Sequence, residues 1–475
     1  MTSDLSFTVL LPPLLAIALA IGTRQVYLSL AAGIWLGYAL LADGAILSGL
    51  AAAIDGVIAV FQSPGDTRVL VFTLLIGGLI ATLEACGGVR GFVHWLEARR
   101  WVYNAKRSQW LAWGTGLIIF IESNLTVLVA GTVSRPLFDR FKVSREKLAY
   151  LIDSTSAPVC ILIPLNAWGA FNLGLLESTG VDNALDVFIW SIPLNLYAIS
   201  ALLVSLYVVV FNWNIGPMKR AELNAAKTIP TKAISASTAP LSTNKTLNHQ
   251  DSSIQGSEKA RDMLLPILVL VFSMPLGLWI TGDGDLLQGS GSTSVLWAVL
   301  MALGCSWLMQ LLRRRMGVTQ LTDVFLKGAG NILPLAIILL LALALGDVSQ
   351  ALQTGQYVAS LLNDSLPSMW LLPLLFLVAA VIAFSVGSSW GTFAIMIPIA
   401  VPVAEALQLP LAPFVAAVLS GGIFGDHASP ISDTTVVSSL AAGTDHIDHV
   451  RTQLPYALIA AALSLVGFSV MGGML

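Results

Sequence analysis

Charge is scarce in this chain: Asp, Glu, Lys and Arg make up 11% of its 475 residues, against about a quarter in a soluble domain. With 56% hydrophobic residues and a mean hydropathy of +0.82, the composition belongs to a polytopic membrane protein. Cysteine is scarce too. Cys86, Cys160 and Cys305 sit in apolar runs with no metal-ligand spacing and no disulfide framework, so they read as small packing residues. No GxxxxGK[ST] loop, GxSxG elbow or HExxH helix is present, which removes the support for an ATP-driven pump or an intramembrane hydrolase. A basic leader with a small-residue cleavage site is missing as well, so the first apolar run, Phe7–Ile21, is expected to be a membrane span. Neither a cofactor nor a nucleic acid is implied; the lipid bilayer is the expected surrounding.

Apolar runs long enough to cross a bilayer fall near residues 6–22, 25–42, 45–61, 69–88, 146–176, 184–211, 262–281, 293–312, 331–346, 410–440 and 453–473. Two further apolar blocks lie at 108–137 and 369–405. Between the halves, 212–261 is rich in Ser, Thr, Asn and Lys, holds Pro230 and Pro240, and reads as a flexible linker. Basic clusters at Arg99–Arg107, Arg140–Lys147, Arg313–Arg315 and in the insert are placed in the cytoplasm by the positive-inside rule; the acidic connections Glu177–Asp186 and Asp283–Ser294 are placed outside. Both flanks of 108–137 are then cytoplasmic, and the block is too short to cross twice. It should enter and turn back as a re-entrant hairpin with Ile121–Val127 at its tip.

The second half repeats this order. LIATLEACGG (Leu79–Gly88) resembles LALALGDVSQ (Leu341–Gln350), each with one acid, Glu84 or Asp347. A hairpin follows in each half, the second with its tip at Phe384–Phe393. Each hairpin is followed by a span broken before Ala-Pro or Ser-Pro, at Asp153–Pro158 and Gly425–Pro430. The expected fold is therefore all-α and polytopic: an inverted-topology repeat of about eleven spans with two re-entrant hairpins and two broken transmembrane helices. Its parts are an extra span at 1–24, a first repeat at 25–211, the linker at 212–261 and a second repeat at 262–475. The N-terminus and linker are expected in the cytoplasm, the C-terminus outside, in a bacterial-type inner membrane.

The stretch Gly421–Ser439 concentrates the chemistry. Asp426, His427 and Asp433 lie within it, with glycines that weaken a helix and Pro430 to break it. Ionisable groups at membrane depth are costly, and irregular backbone there lines a cavity or is buried in protein. A hard-cation site is one reading, with Ser429, Ser432, Thr434 and freed carbonyls beside the two acids; a surface loop is the plain alternative. Ser432 or Asp433 would also serve as an N-cap. In the first half the matching groups are Glu122, with Ser123, Asn124 and Thr126 at the hairpin tip, and Asp153, which otherwise caps a half-helix. Ser389 represents the second tip. Asn166 and Asn172 either line the same cavity or make ordinary interhelical contacts. Glu84 and Asp347 are expected near opposite membrane surfaces. His446 and His449, beside Asp445 and Asp448, read as a solvated loop.

GDHASPISDTT (425–435), ESNLT (122–126) and DSTSAPVCILIPLNAWG (153–169) together resemble the NhaC-type sodium/proton antiporter family, over most of the chain from about Val69. The resemblance implies secondary transport that exchanges sodium, and lithium by extension, for protons by alternating access, with monovalent cation and proton as partners and a homodimer as the assembly. The cation ligands it points to are Asp426, Asp433, Glu122, Asp153, Ser429, Ser432, Asn124, Ser123, Thr126 and Ser389. Asp426, Glu122 and His427 are the proton-coupling candidates, His427 because imidazole titrates near neutrality. A sodium- or proton-coupled carrier of a small amino acid or carboxylate is the alternative on the same fold. The absence of Arg and Lys from the broken spans favours bare cations. An enzyme or a channel is the reading from a different class.

Overall fold

The computed structural model describes residues 7–92, 103–120, 122–164, 166–181, 183–227, 259–284, 289–363 and 367–475, and it is helical throughout, with no strand among them. The basic residues Arg99 and Arg100 and linker residues 228–258 lie outside the described residues. Eight helices are long and apolar enough to cross a membrane, or ten if each of two sharply bent pairs counts as one span.

Local signals set the helix ends. Ser63 caps Pro64–Ala85, accepting from Asp66 N at 3.3 Å, with proline at the first helical position. Asp445 caps His446–Gly472 through Ile447 N and Asp448 N. Pro64–Ala85 packs against the long helix Val318–Ala351 in antiparallel fashion. Gly77 meets Gly328, Ala85 meets Leu321, and the other end brings Asp66 near Asp347. Glu84 and Asp347, at matching positions in the two halves, thus sit at opposite ends of one packed pair.

Each apolar block is a helical hairpin. In the first, Ala105–Ile118 and Ser123–Phe141 pack together, and the Thr126 hydroxyl turns back onto the carbonyls of Ile119 and Glu122. In the second, Leu371–Val386 ends at Gly387 with φ of 73°, and Ser388 caps Ser389–Ala406. A side chain at Gly387 would be strained, and its Cβ would meet Ile431 O at 2.7 Å.

Both broken spans are present. The first runs as Arg145–Ser154, Ala157–Leu162 and Ala167–Ser178, with a 42° bend. The second is Leu411–Ala428 and Asp433–Ala442, parted at 429–432. One local expectation fails here. Gly421, Gly422 and Gly425 do not loosen the second span; helix continues through them to Ala428. Gly421 and Gly425 lie one turn apart against the second hairpin, where a Cβ would meet Ala379 Cβ at 2.8 Å or Ala383 Cβ at 2.6 Å. They let two backbones approach as small residues do inside membranes.

The insert also departs from a linker at its start. Gly216–Lys227 is a helix with Met218 buried beneath it. Its Glu222 accepts from Ser144 N at 2.8 Å and lies 3.8 Å from the Nζ of Lys147, which is fully buried and also donates to Asn212 Oδ1 at 2.5 Å. A buried ammonium demands these partners. Glu222→Ala should therefore lower stability by about 2–3 kcal/mol, the cost of stranding a buried charge, read as a lower thermal midpoint in detergent. An unchanged midpoint would show that this helix merely rests on the first broken span.

Candidate ion-binding site

Each hairpin tip is fastened to the broken span that follows it by the same device. In the first half, Asn166 Nδ2 donates to Phe120 O at 2.9 Å and to Cys160 O at 2.8 Å. In the second, Ser429 Oγ donates to Phe384 O at 2.7 Å. A side chain from the interrupted span satisfies a carbonyl that the tip leaves without an intrahelical partner. The halves also meet directly: Ser123–Phe141 packs on Asp433–Ala442 with Gly131 against Ala441, and Trp168 stacks on Trp390 at 4.4 Å.

Three carboxylates gather where these elements join. Asp426 is buried, and its Oδ2 accepts from Ser389 Oγ at 2.9 Å. Ser432 lies within hydrogen-bond reach of Asp426 and caps the second half-helix, accepting from Thr435 N. Asp433 is exposed, at the edge of the cluster. Asp433 accepts from Thr434 N at 2.9 Å and has Asn124 within hydrogen-bond reach. Asp153, also buried, accepts from Gln453 Nε2 at 2.7 Å and Thr435 Oγ1 at 3.3 Å. The three are close enough to repel one another.

What they lack is a fixed counter-charge. Among the described residues no Lys or Arg pairs with any of the three. The ionisable partners within reach are imidazoles, with His427 Nε2 at 4.0 Å and His449 Nε2 at 3.9 Å from Asp153 Oδ2. Three buried acceptor oxygens have no hydrogen-bond partner: Asp153 Oδ1, Asp426 Oδ1 and Asn124 Oδ1. Orphaned buried acceptors are costly unless a cation or a proton arrives. No described cluster of three or more His, Cys, Asp and Glu side chains converges as a metal cage. The donor set is instead two carboxylates, Asp426 and Asp433, with hydroxyl and amide oxygens around them.

The other sequence candidates fall in different places. Glu122 lies at the first tip, half-buried, beside Cys160, and accepts from Ser123 at 3.4 Å. Thr126 closes that tip, and Ser429 holds the second tip to its span. His427 is buried, with Nδ1 2.7 Å from Tyr197 OH and Nε2 3.3 Å from Ser154 Oγ. Asn172 bonds within its own helix. His449 is not in a solvated loop; it is fully buried in the first turn of His446–Gly472, and Gln453, one turn on, donates to Asp153 and to His427 O. Tyr197, Gln453 and His449 were not expected at the site. The available signal was polar spacing: His449, Gln453 and Tyr456 recur on one face of an apolar helix.

Comparison with known proteins gives the family. A profile described as the Na+/H+ antiporter family matches residues 159–473. An uncharacterized protein of Haemophilus influenzae is 34% identical over 98% of this chain and 90% of its own. The malate-2H(+)/Na(+)-lactate antiporter of Bacillus subtilis is 31% identical over a shorter stretch, 37% of this chain and 38% of that protein. The crystal structure of the Alcanivorax borkumensis YdaH transporter shares the fold, with a TM-score of 0.57 at 15% identity over 90% of this chain and 88% of that one. This integral membrane protein belongs to the Na+/H+ antiporter family.

Proposed function

We propose that the chain exchanges sodium for protons, with the cation held by Asp426 and Asp433 and the proton by Asp153. The observation that carries this reading is the carboxylate cluster, which has orphaned oxygens and, among the described residues, no lysine or arginine paired with it. Two buried carboxylates, Asp426 and Asp153, with the like charge of Asp433 beside them, cannot all remain anionic and uncompensated. A cation entering at Asp426 and Asp433 makes the proton on Asp153 dispensable, and a proton arriving there weakens the hold on the cation. Exchange follows from that opposition. Ser389, Ser432 and Asn124 supply the neutral oxygens that a dehydrated sodium ion needs.

The alternating step would use the hairpins. Both tips are fastened to broken spans, and the antiparallel packing of Pro64–Ala85 on Val318–Ala351 supports an inverted repeat with the site between its halves. A cytoplasmic N-terminus and insert follow from the basic connections, and a homodimer is the proposed assembly.

A second reading has one observation behind it. Trp168 Nε1 is buried without an acceptor, and its ring stacks on Trp390, the neighbour of Ser389. With a partial relative named for malate and lactate, that donor suits a carboxylate-bearing solute. Thermal stabilisation of the purified protein separates the two. Sodium alone should raise the midpoint by a few degrees at saturating concentration, and malate or lactate should add nothing. Stabilisation that requires the solute would replace the first reading with the second.

A further inference from the structure

From the half-exposed His446 an unbroken line of polar contacts runs to Asp153. His446 Nε2 lies 2.6 Å from Pro430 O, and its Nδ1 lies 3.1 Å from Ser439 Oγ. Ser439 Oγ is 2.8 Å from His449 Nδ1 and 2.8 Å from Thr435 O. His449 Nε2 is 2.8 Å from Gln453 Oε1, and Gln453 Nε2 reaches Asp153 Oδ2 at 2.7 Å and His427 O at 2.6 Å.

Acceptor-only partners fix where the protons sit. The Gln453 amide nitrogen faces a carboxylate and a carbonyl, so its oxygen faces His449, whose Nε2 must carry a hydrogen. His446 Nε2 likewise donates to the Pro430 carbonyl. Ser439 has one hydroxyl proton for three neighbours. If it goes to His446 Nδ1, then His449 must donate from both ring nitrogens. If it goes to His449 Nδ1, then His446 must do so. If it goes to Thr435 O, both rings must. While Gln453 keeps this orientation and each contact is a hydrogen bond, every arrangement leaves at least one imidazolium between His446 and His449.

We propose that His446, Ser439 and His449 form a proton relay between the surface and Asp153. A proton taken up by His446 leaves its Nδ1 for Ser439 Oγ as the hydroxyl proton passes to His449 Nδ1. The charge moves one ring inward and the serine is regenerated. His449 Nε2 then gives its proton to Asp153 Oδ2, 3.9 Å away, once the two close and the Gln453 amide turns over, its nitrogen donating to the bared Nε2 and its oxygen accepting from the new carboxyl: an N–H bond breaks, an O–H bond forms, and a neutral imidazole faces a neutral carboxyl. Asp153 and His427 face this path from the two broken spans, and Asp445 and Asp448 from the relay helix itself. Arg135 and Arg145 close on the adjoining loop at Gly443. The relay rests on Asp153 as the proton site.

Two measurements test it. In proteoliposomes, the ratio of sodium-driven proton flux to sodium self-exchange should fall at least about tenfold in Ser439→Ala and in His449→Gln. Ser439→Thr, which keeps the hydroxyl, should retain the ratio. An unchanged ratio in both losses, or a parallel fall of both fluxes in folded protein, overturns the relay. The second measurement needs no transport: nitrogen NMR of ring-labelled histidine in the purified chain. At pH of about 7.5, where an ordinary histidine is mostly neutral, one imidazolium should be present and should be lost in Ser439→Ala. Two neutral rings in the sodium-loaded unmodified protein, where Asp153 holds no proton, overturn the relay. Absence of sodium-driven proton flux from the unmodified protein would remove the exchange reading, while the ring spectra still decide whether the shared proton exists.

Discussion

Asp426→Asn abolishes sodium-driven proton movement and leaves the protein folded. The amide keeps the carboxylate's shape, and its remaining oxygen still accepts from Ser389. What disappears is the charge opposite Asp433 and the anionic oxygen that has no partner, Oδ1. Removing a charged ligand from a water-poor site costs about 1.5–3 kcal/mol, roughly a factor of ten to a hundred in cation affinity. Coupled flux falls further, because the repulsion that links cation to proton falls with the same charge. Stability should hold or rise, since a buried charge at Asp426 no longer faces the like charge of Asp433. A thermal midpoint at or above that of the unmodified protein, no longer shifted by sodium, is the expected pair of readings. Retained exchange would remove Asp426 from the site.

Asp153→Asn should separate the two substrates. Asp153 sits between His427 and His449 and accepts from Gln453 and Thr435, away from the hydroxyls of Ser389 and Ser432. An asparagine there cannot carry a proton, yet Asp426 and Asp433 remain. Sodium-driven proton flux should drop by about a hundredfold, while sodium still raises the thermal midpoint. Loss of sodium stabilisation equal to that in Asp426→Asn would make Asp153 a cation ligand instead. Measuring both variants side by side is what gives the comparison its force.

Much of this architecture was legible in the sequence because the bilayer imposes simple rules. Spans announce themselves by length, and Asp426 and Asp433 stand out in an apolar run broken by Pro430. The polar tips of both hairpins were visible for the same reason. What stayed hidden was decided by packing between distant elements. Gly421 and Gly425 read as helix breakers, yet they serve close contact with Leu371–Val386, which no local propensity encodes. His449 read as loop because Asp445 and Asp448 flank it; whether a first helical turn is buried depends on what covers it, here the first broken span. Helix Gly216–Lys227 was lost inside a polar stretch because its anchor, buried Lys147, lies far away in sequence. From the first tip, Asn124 reaches Asp433.

The central claim is that one carboxylate cluster exchanges sodium for protons without a third substrate. Purified protein in liposomes holding a pH-sensitive dye, with a sodium gradient imposed and no organic solute present, tests it most directly. Sodium moving in one direction should drive protons in the other, at a rate that lithium partly supports and that Asp426→Asn removes. A dye that stays silent until malate, lactate or an amino acid is added would contradict the account.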